Sequence, residues 1–178
     1  MDPRSYTVTF LIISSVLAVC FFIAPYLSPY GSFLGLDGNP GVMDHWDIWS
    51  GKDPFSCIIY STGDIVCHQE EARTFILNGS EMPVCVRDVG LLLGFIIGCS
   101  SLLTLMGQVF AERYGRPFIV ISFLLIFTDW IIQRSMSLNI PFTRLATGLL
   151  AGAGFAVLIH LWMRKAFYNE GERQGREP

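Results

Sequence analysis

Four stretches of this chain are almost free of charge over the length of a membrane-crossing helix, and nothing else in the sequence restricts the fold as strongly. Residues 6–27 and 89–110 carry no charged side chain, residues 117–135 carry only Asp129 before Arg134, and between Arg144 and Arg164 only His160 is titratable. Each run is close to the roughly 20 residues that a helix needs to cross a hydrocarbon core about 30 Å thick. Charged residues make up only 15% of the 178, well below the usual share for a soluble domain, and the apolar ones are clustered. The direct expectation is an all-α integral membrane protein with four transmembrane helices, at about 6–27, 89–110, 117–135 and 144–164.

The first run ends in Pro25-Tyr26-Leu27-Ser28-Pro29 and not in a small-residue cleavage site, so it reads as a retained span. Residues 1–165 form one polytopic domain, and 166–178 a charged, disordered tail. The loop 28–87 is rich in Gly, Pro and Asp at its start, with Trp46 and Trp49 suited to a membrane surface. Its apolar patch around Phe55, Ile58, Ile59 and Tyr60, after Pro54, predicts a short surface or re-entrant helix. Residues 70–84 read as a polar connection. Within it Asn78-Gly79-Ser80 is formally a glycosylation acceptor and equally a tight turn. The second and third spans are joined through a turn at 111–117, which contains Gly115 and Pro117.

Orientation follows from Lys and Arg near the span ends. Seven lie on the side holding Arg4, Arg113, Arg116, Arg164, Lys165 and the tail, and five on the other. The long loop has eight acidic residues against three basic ones. The positive-inside rule places both termini in the cytoplasm and the loop outside, in a multi-pass protein of the cell membrane. A net charge of −3 gives no reason to expect nucleic acid.

This topology gathers the polar residues at the outer face. Asp129 lies about twelve residues along the rising third helix, with Gln133 one turn above it and Arg134 and Arg144 flanking the link. A carboxylate inside a span needs a partner or a wet cavity, so Asp129 is either a structural ion pair with Arg87, Arg134 or Arg144, or a functional group. Cys67, His68, Cys85 and Asp88 are the candidate metal ligands. Cys85 and Asp88 are three apart at a helix start and share a face, and two thiolates with an imidazole and a carboxylate suit zinc. A Cys67–Cys85 disulfide, leaving Cys57 over, and unpaired thiols are the competing readings.

Gly90, Gly94 and Gly98 recur every four residues in the second span, as do Gly148 and Gly152 in the fourth. Such ridges let backbones approach closely, so these two helices are expected in contact, with Cys85 and Asp88 turned to the opposite side. The same ridges can seal a homo-oligomer.

Cys67-His68-Gln69 with Arg73 and Phe75, then Gly79, Pro83-Val84-Cys85 and Arg87, and later Asp129, Arg144, Thr147-Gly148 and Gly152, resemble the prokaryotic membrane-protein family catalogued as domain of unknown function 2085. The likeness covers about residues 57–152. Many members carry a second cysteine where this chain has Asp88, a swap compatible with a metal site. Trp130 and Pro141 depart from the family pattern at the outer link. The family name implies no activity.

Three functions fit these residues. The first is a zinc-binding polar site at the outer face acting on a membrane lipid or another membrane-delivered substrate, with Asp129, Arg73, Arg87 and Arg144 as its working groups and the arginines holding an anionic head group. The second is a small oligomeric transporter or channel built on Asp129 and the arginines. The third is a thiol oxidoreductase using Cys67 and Cys85, although the chain has no Cys-x-x-Cys pair. No phosphate loop, nucleophile elbow or dinucleotide glycine motif is present.

Overall fold

The computed structural model describes residues 3–36, 41–43, 45–67 and 71–174. Among the described residues, six α-helices run in the order α1 (Pro3–Ile23), α2 (Trp46–Ser50), α3 (Pro54–Val66), α4 (Val86–Leu102), α5 (Leu105–Ser135) and α6 (Pro141–Gln174). A two-stranded hairpin, β1 (Thr74–Leu77) with β2 (Ser80–Cys85), stands between α3 and α4. Among the described residues, three segments are long and apolar enough to cross a membrane: Arg4–Tyr26, Leu105–Ser135 and Pro141–Phe167. At 17 residues α4 spans about 25 Å and falls just short of that length. The helical architecture thus stands, with one hairpin that an all-α reading did not include.

Helices α4 and α6 form the tightest pair, and α5 packs mainly on α6. The glycine ridges explain the first contact. A Cβ on Gly90 would lie 2.6 Å from Leu145 O, one on Gly148 2.5 Å from Arg87 O, and those on Gly94 and Gly152 would run into Leu149 O and Leu91 O. The two backbones touch, as the four-residue glycine spacing predicts.

The link between the second and third spans is not at 111–117. Helix α4 ends at Leu102, and Thr104 caps α5, its hydroxyl accepting from Gly107 N–H at 3.1 Å. Residues 111–117 continue α5 with Pro117 inside the helix. Gly115, which reads as a turn residue, instead gives room to α6: a Cβ there would sit 2.9 Å from Val157 Cγ1. At 31 residues α5 is about 46 Å long, longer than a hydrocarbon core is thick, and it carries Glu112, Arg113 and Arg116 in its first half. Likewise α6 does not stop near 164 but runs to Gln174, so the first nine residues of the expected disordered tail are helical.

The long loop also departs from expectation. It is a packed cap and not a chain laid on a surface. Phe33 stacks on Tyr60 with ring centroids 3.8 Å apart, Tyr60 stacks on Trp49 at 5.1 Å, and all three are buried with Leu36, Met82 and Val84. Trp49 therefore belongs to a core, while Trp46 stays exposed. Three buried polar contacts tie the cap together: Tyr60 OH donates to Glu81 O at 2.6 Å, Glu81 Oε1 accepts from Gly35 N–H at 2.5 Å, and Asp64 Oδ2 accepts from Trp49 Nε1 at 3.2 Å.

Helix α3 starts where Asp53 Oδ1 accepts from Ser56 N–H at 2.9 Å, with Pro54 in the first turn. It packs against β2 but keeps Phe55, Ile58, Ile65 and Val66 exposed. The supposed polar connection at 70–84 is mostly the hairpin. Asn78 and Gly79 have φ of 51° and 68°, the paired left-handed conformation of a two-residue hairpin turn. The Asn78 side chain donates to Pro25 O at 2.9 Å and Ser28 O at 3.2 Å, tying the turn to the end of the first span.

Candidate functional site

Cys85 is the last residue of β2 and the residue before α4, so the hairpin and the helix together fix its position. One helical turn on, Asp88 returns to the same side, and Cys85 Sγ donates to Asp88 Oδ2 at 3.1 Å. Cys67 arrives from the other direction, in extended conformation where α3 ends. Its sulfur accepts from Cys85 N–H at 3.2 Å. The Cys67 and Cys85 sulfurs and an Asp88 oxygen all lie within 4.8 Å of one another.

All five cysteines are free thiols. Hydrogen bonding with the Cys85 thiol, burial and the Asp88 charge push the Cys67 thiol well above its ordinary range. Without a cation, then, this cluster keeps a proton on Cys67. Two sulfurs and a carboxylate oxygen match the donor preference of zinc, whose tetrahedral ligands stand roughly 3.5 Å apart, so the donors fit such an ion with small adjustments. Three protein donors leave a coordination position for water or a fourth ligand. His68, the expected fourth ligand, lies outside the described residues.

A cavity of about 320 Å³ opens beside the cluster. Its wall includes Cys67, Cys85 and Asp88, the arginines Arg73, Arg87, Arg134 and Arg144, and Val66, Trp130 and Gln133. Arg73, Arg87 and Arg144 thus line one space with Cys67, Cys85 and Asp88, three of the four expected ligands.

Asp129 stands behind the wall. Its Oδ2 accepts from Arg87 Nη2 at 2.8 Å and from Thr147 Oγ1 at 3.4 Å, and its Oδ1 accepts from Gln133 Nε2 at 2.7 Å. With both oxygens engaged, it supports the reading of a structural ion pair that positions Arg87. Gln133 was legible only as a neighbour of Asp129, yet it bridges the network. Its Oε1 accepts from Arg144 Nε at 2.5 Å, and its Nε2 also donates to Thr143 Oγ1 at 2.9 Å. The i to i+4 spacing of Asp129 and Gln133 was the available signal. Trp130 gave none, since an aromatic near a span end ordinarily reads as an interfacial anchor. The link after α5 closes over the same end, where Asn139 Nδ2 donates to Ala72 O beside Arg73.

Residues 67–158, just over half of the chain, match the family described as "Predicted membrane protein (DUF2085)". The chain belongs to the DUF2085 family. The DUF2085 match begins at Cys67 and takes in the whole cavity wall except Val66. The chain is also similar to the uncharacterized protein MJ1492 of Methanocaldococcus jannaschii, with 30% identity over 78 residues, 44% of this chain. That alignment covers 43% of the relative, so the chain spans less than half of its length. No solved structure matches this DUF2085 chain.

Proposed function

We propose that this DUF2085 protein is a four-span membrane protein whose Cys67, Cys85 and Asp88 hold a thiophilic divalent cation, zinc by donor chemistry, beside an arginine-lined cavity that receives a membrane-delivered substrate. The convergence of two thiols and a carboxylate from two separate segments, the end of α3 and the start of α4, is the observation that carries this reading. In this reading α4, 17 residues long, is the span that joins the three longer helices. The charge asymmetry of the loops supports a cap and cavity outside and both termini in the cytoplasm.

When bound, such a cation would supply Lewis acidity at its open position. The chain's own residues do the rest. Arg87 is aimed by Asp129 and Arg144 by Gln133, so two guanidiniums are pre-oriented to take an anionic group at fixed points. The test is metal analysis of protein purified without chelator and then exposed to zinc. The reading expects about one ion per chain, lost in Cys85→Ser and Asp88→Ala. Wild-type protein that takes up no ion would end it.

The nearness of the Cys67 and Cys85 sulfurs favours a second reading, a reversible disulfide in a thiol oxidoreductase. Thiol trapping separates the two. An oxidisable Cys67–Cys85 pair supports the redox site, and zinc that shields both thiols from alkylation supports the metal centre.

A further inference from the structure

Beside the cavity that Cys67 and Cys85 line runs a second space of about 750 Å³, walled by α5 side chains from Ile119 to Trp130 and by Arg87. Arg87 and Trp130 belong to both spaces. The thiol chamber therefore meets, at one guanidinium and one indole, an apolar groove about 16 Å long on a helix fit to cross a membrane.

We propose that the two spaces receive one molecule, an isoprenoid quinone, and that it oxidises the Cys67 and Cys85 thiols to a disulfide. This rests on the redox reading of that pair and does not require the cation. In the step one S–S bond forms and two S–H bonds break. Both electrons pass to the quinone ring and both protons end on its oxygens, so the products are the disulfide and the quinol.

Access selects the kind of oxidant. The two sulfurs lie within 4.8 Å of one another, near enough to be joined by side-chain movement. Cys67 is only 5% exposed, and the chamber of about 320 Å³ is the size of a small-molecule pocket, which admits a ring and not a folded partner. Cys85 Sγ already donates to Asp88 Oδ2, so an acceptor for its departing proton stands in place.

Hydrogen bonding and shape select the rest. Asp129 already balances the Arg87 charge through Nη2, and Arg87 makes no other side-chain hydrogen bond among the described residues. What Arg87 still offers is N–H donors without a charge to match, which suits a neutral carbonyl oxygen. Trp130 supplies an aromatic surface at the junction for a flat ring. Along the groove Phe123, Leu124 and Phe127 are exposed, and in a bilayer they meet hydrocarbon, as a prenyl chain would. An ordinary acyl lipid could fill the groove but has no means of taking electrons from the thiols.

The test uses the full chain, reduced, freed of metal by chelator and held without oxygen in phosphatidylcholine nanodiscs containing menaquinone or ubiquinone. Quinol is followed by absorbance, and alkylation with mass spectrometry reports which thiols are lost. Either quinone is expected to yield about one quinol per chain with loss of Cys67 and Cys85 alone, and Cys85→Ser to yield none. Leu124→Trp, which fills the groove, is expected to slow the reaction severalfold. Met106→Trp, at the other end of α5 where Met106 is 83% exposed, should react at the wild-type rate. If Leu124→Trp does not fold, Phe127→Ala carries the comparison.

A pair that closes with the soluble oxidant diamide but with neither quinone overturns the proposal and leaves the redox reading standing. A pair that closes with no oxidant ends both. Folded Leu124→Trp protein that reacts as fast as wild type also overturns the proposal, because the quinone then reaches the thiols without the groove.

Discussion

Arg87 Nη2 lies 2.8 Å from Asp129 Oδ2, joining the first turn of α4 to the far end of α5 with both side chains largely buried. A charge left alone at this depth is costly. Arg87→Ala and Asp129→Ala should each destabilise the protein by about 3–5 kcal/mol, and the double variant by far less than their sum. Thermal unfolding of the four proteins in one detergent measures the coupling. Additive losses would show that the pair does not act as a unit.

The α4–α6 contact should tolerate no added methyl. Gly94→Ala places a Cβ against Leu149, whose Cα would be 2.8 Å away, and is expected to cost about 1–3 kcal/mol or more. Gly51→Ala adds the same methyl where nothing lies within 4 Å, and should stay within about 0.5 kcal/mol of wild type. Unfolding midpoints of the two variants decide the point.

Tyr60 should act as an alkaline limit on the cap. Burial, and then the Glu81 charge, raise its hydroxyl well above the ordinary value of about 10. A group raised in the folded state contributes stability that is fully present below the unfolded value and is lost as pH climbs above it. Stability should therefore fall above about pH 10, and ultraviolet titration should find one tyrosine that ionises only on unfolding. Tyr60→Phe removes its bond to Glu81 O, costs about 1–2 kcal/mol and flattens that alkaline limb.

Asp53 gives the opposite sign. Burial raises its carboxyl, but hydrogen bonds from Ser56, Ser28 and the Phe55 backbone outweigh this and hold it below its usual value. Its stabilisation should be complete above about pH 4 and fade as the solution becomes more acid. Asp53→Ala should lower stability by about 1 kcal/mol at neutral pH through the lost helix cap, and the difference should shrink with acidification.

These sites also show what could be read in advance. Gly90, Gly94, Gly98, Gly148 and Gly152 announced the α4–α6 contact because a four-residue period fixes a helix face wherever that helix lies. The pairing of Cys85 with Asp88 was equally local. Leu103 and Thr104 hid the true turn, since a two-residue link inside an apolar run carries no polarity change and is marked only by a capping hydroxyl. Gly115 and Pro117 imitated a turn because glycine for close packing and glycine for bending are the same letter. The cap was illegible for another reason: Phe33, Trp49 and Tyr60 are brought together by long-range packing that no periodicity encodes. The approach of Cys67 to Cys85 depends on that cap and on the hairpin register, with Thr74 opposite Cys85.

The glycine seam sets a length scale for the whole cavity. Arg87 and Arg144 sit at the same end of two backbones notched into one another, Gly148 over Arg87 O and Gly90 over Leu145 O. Like pegs on a dovetailed joint, the two arginine backbones keep their separation whatever their side chains are bonded to. The pair of helices works as a ruler, so a change in what fills the space between those guanidiniums must be absorbed by α5 and the cap, the parts not locked into the joint.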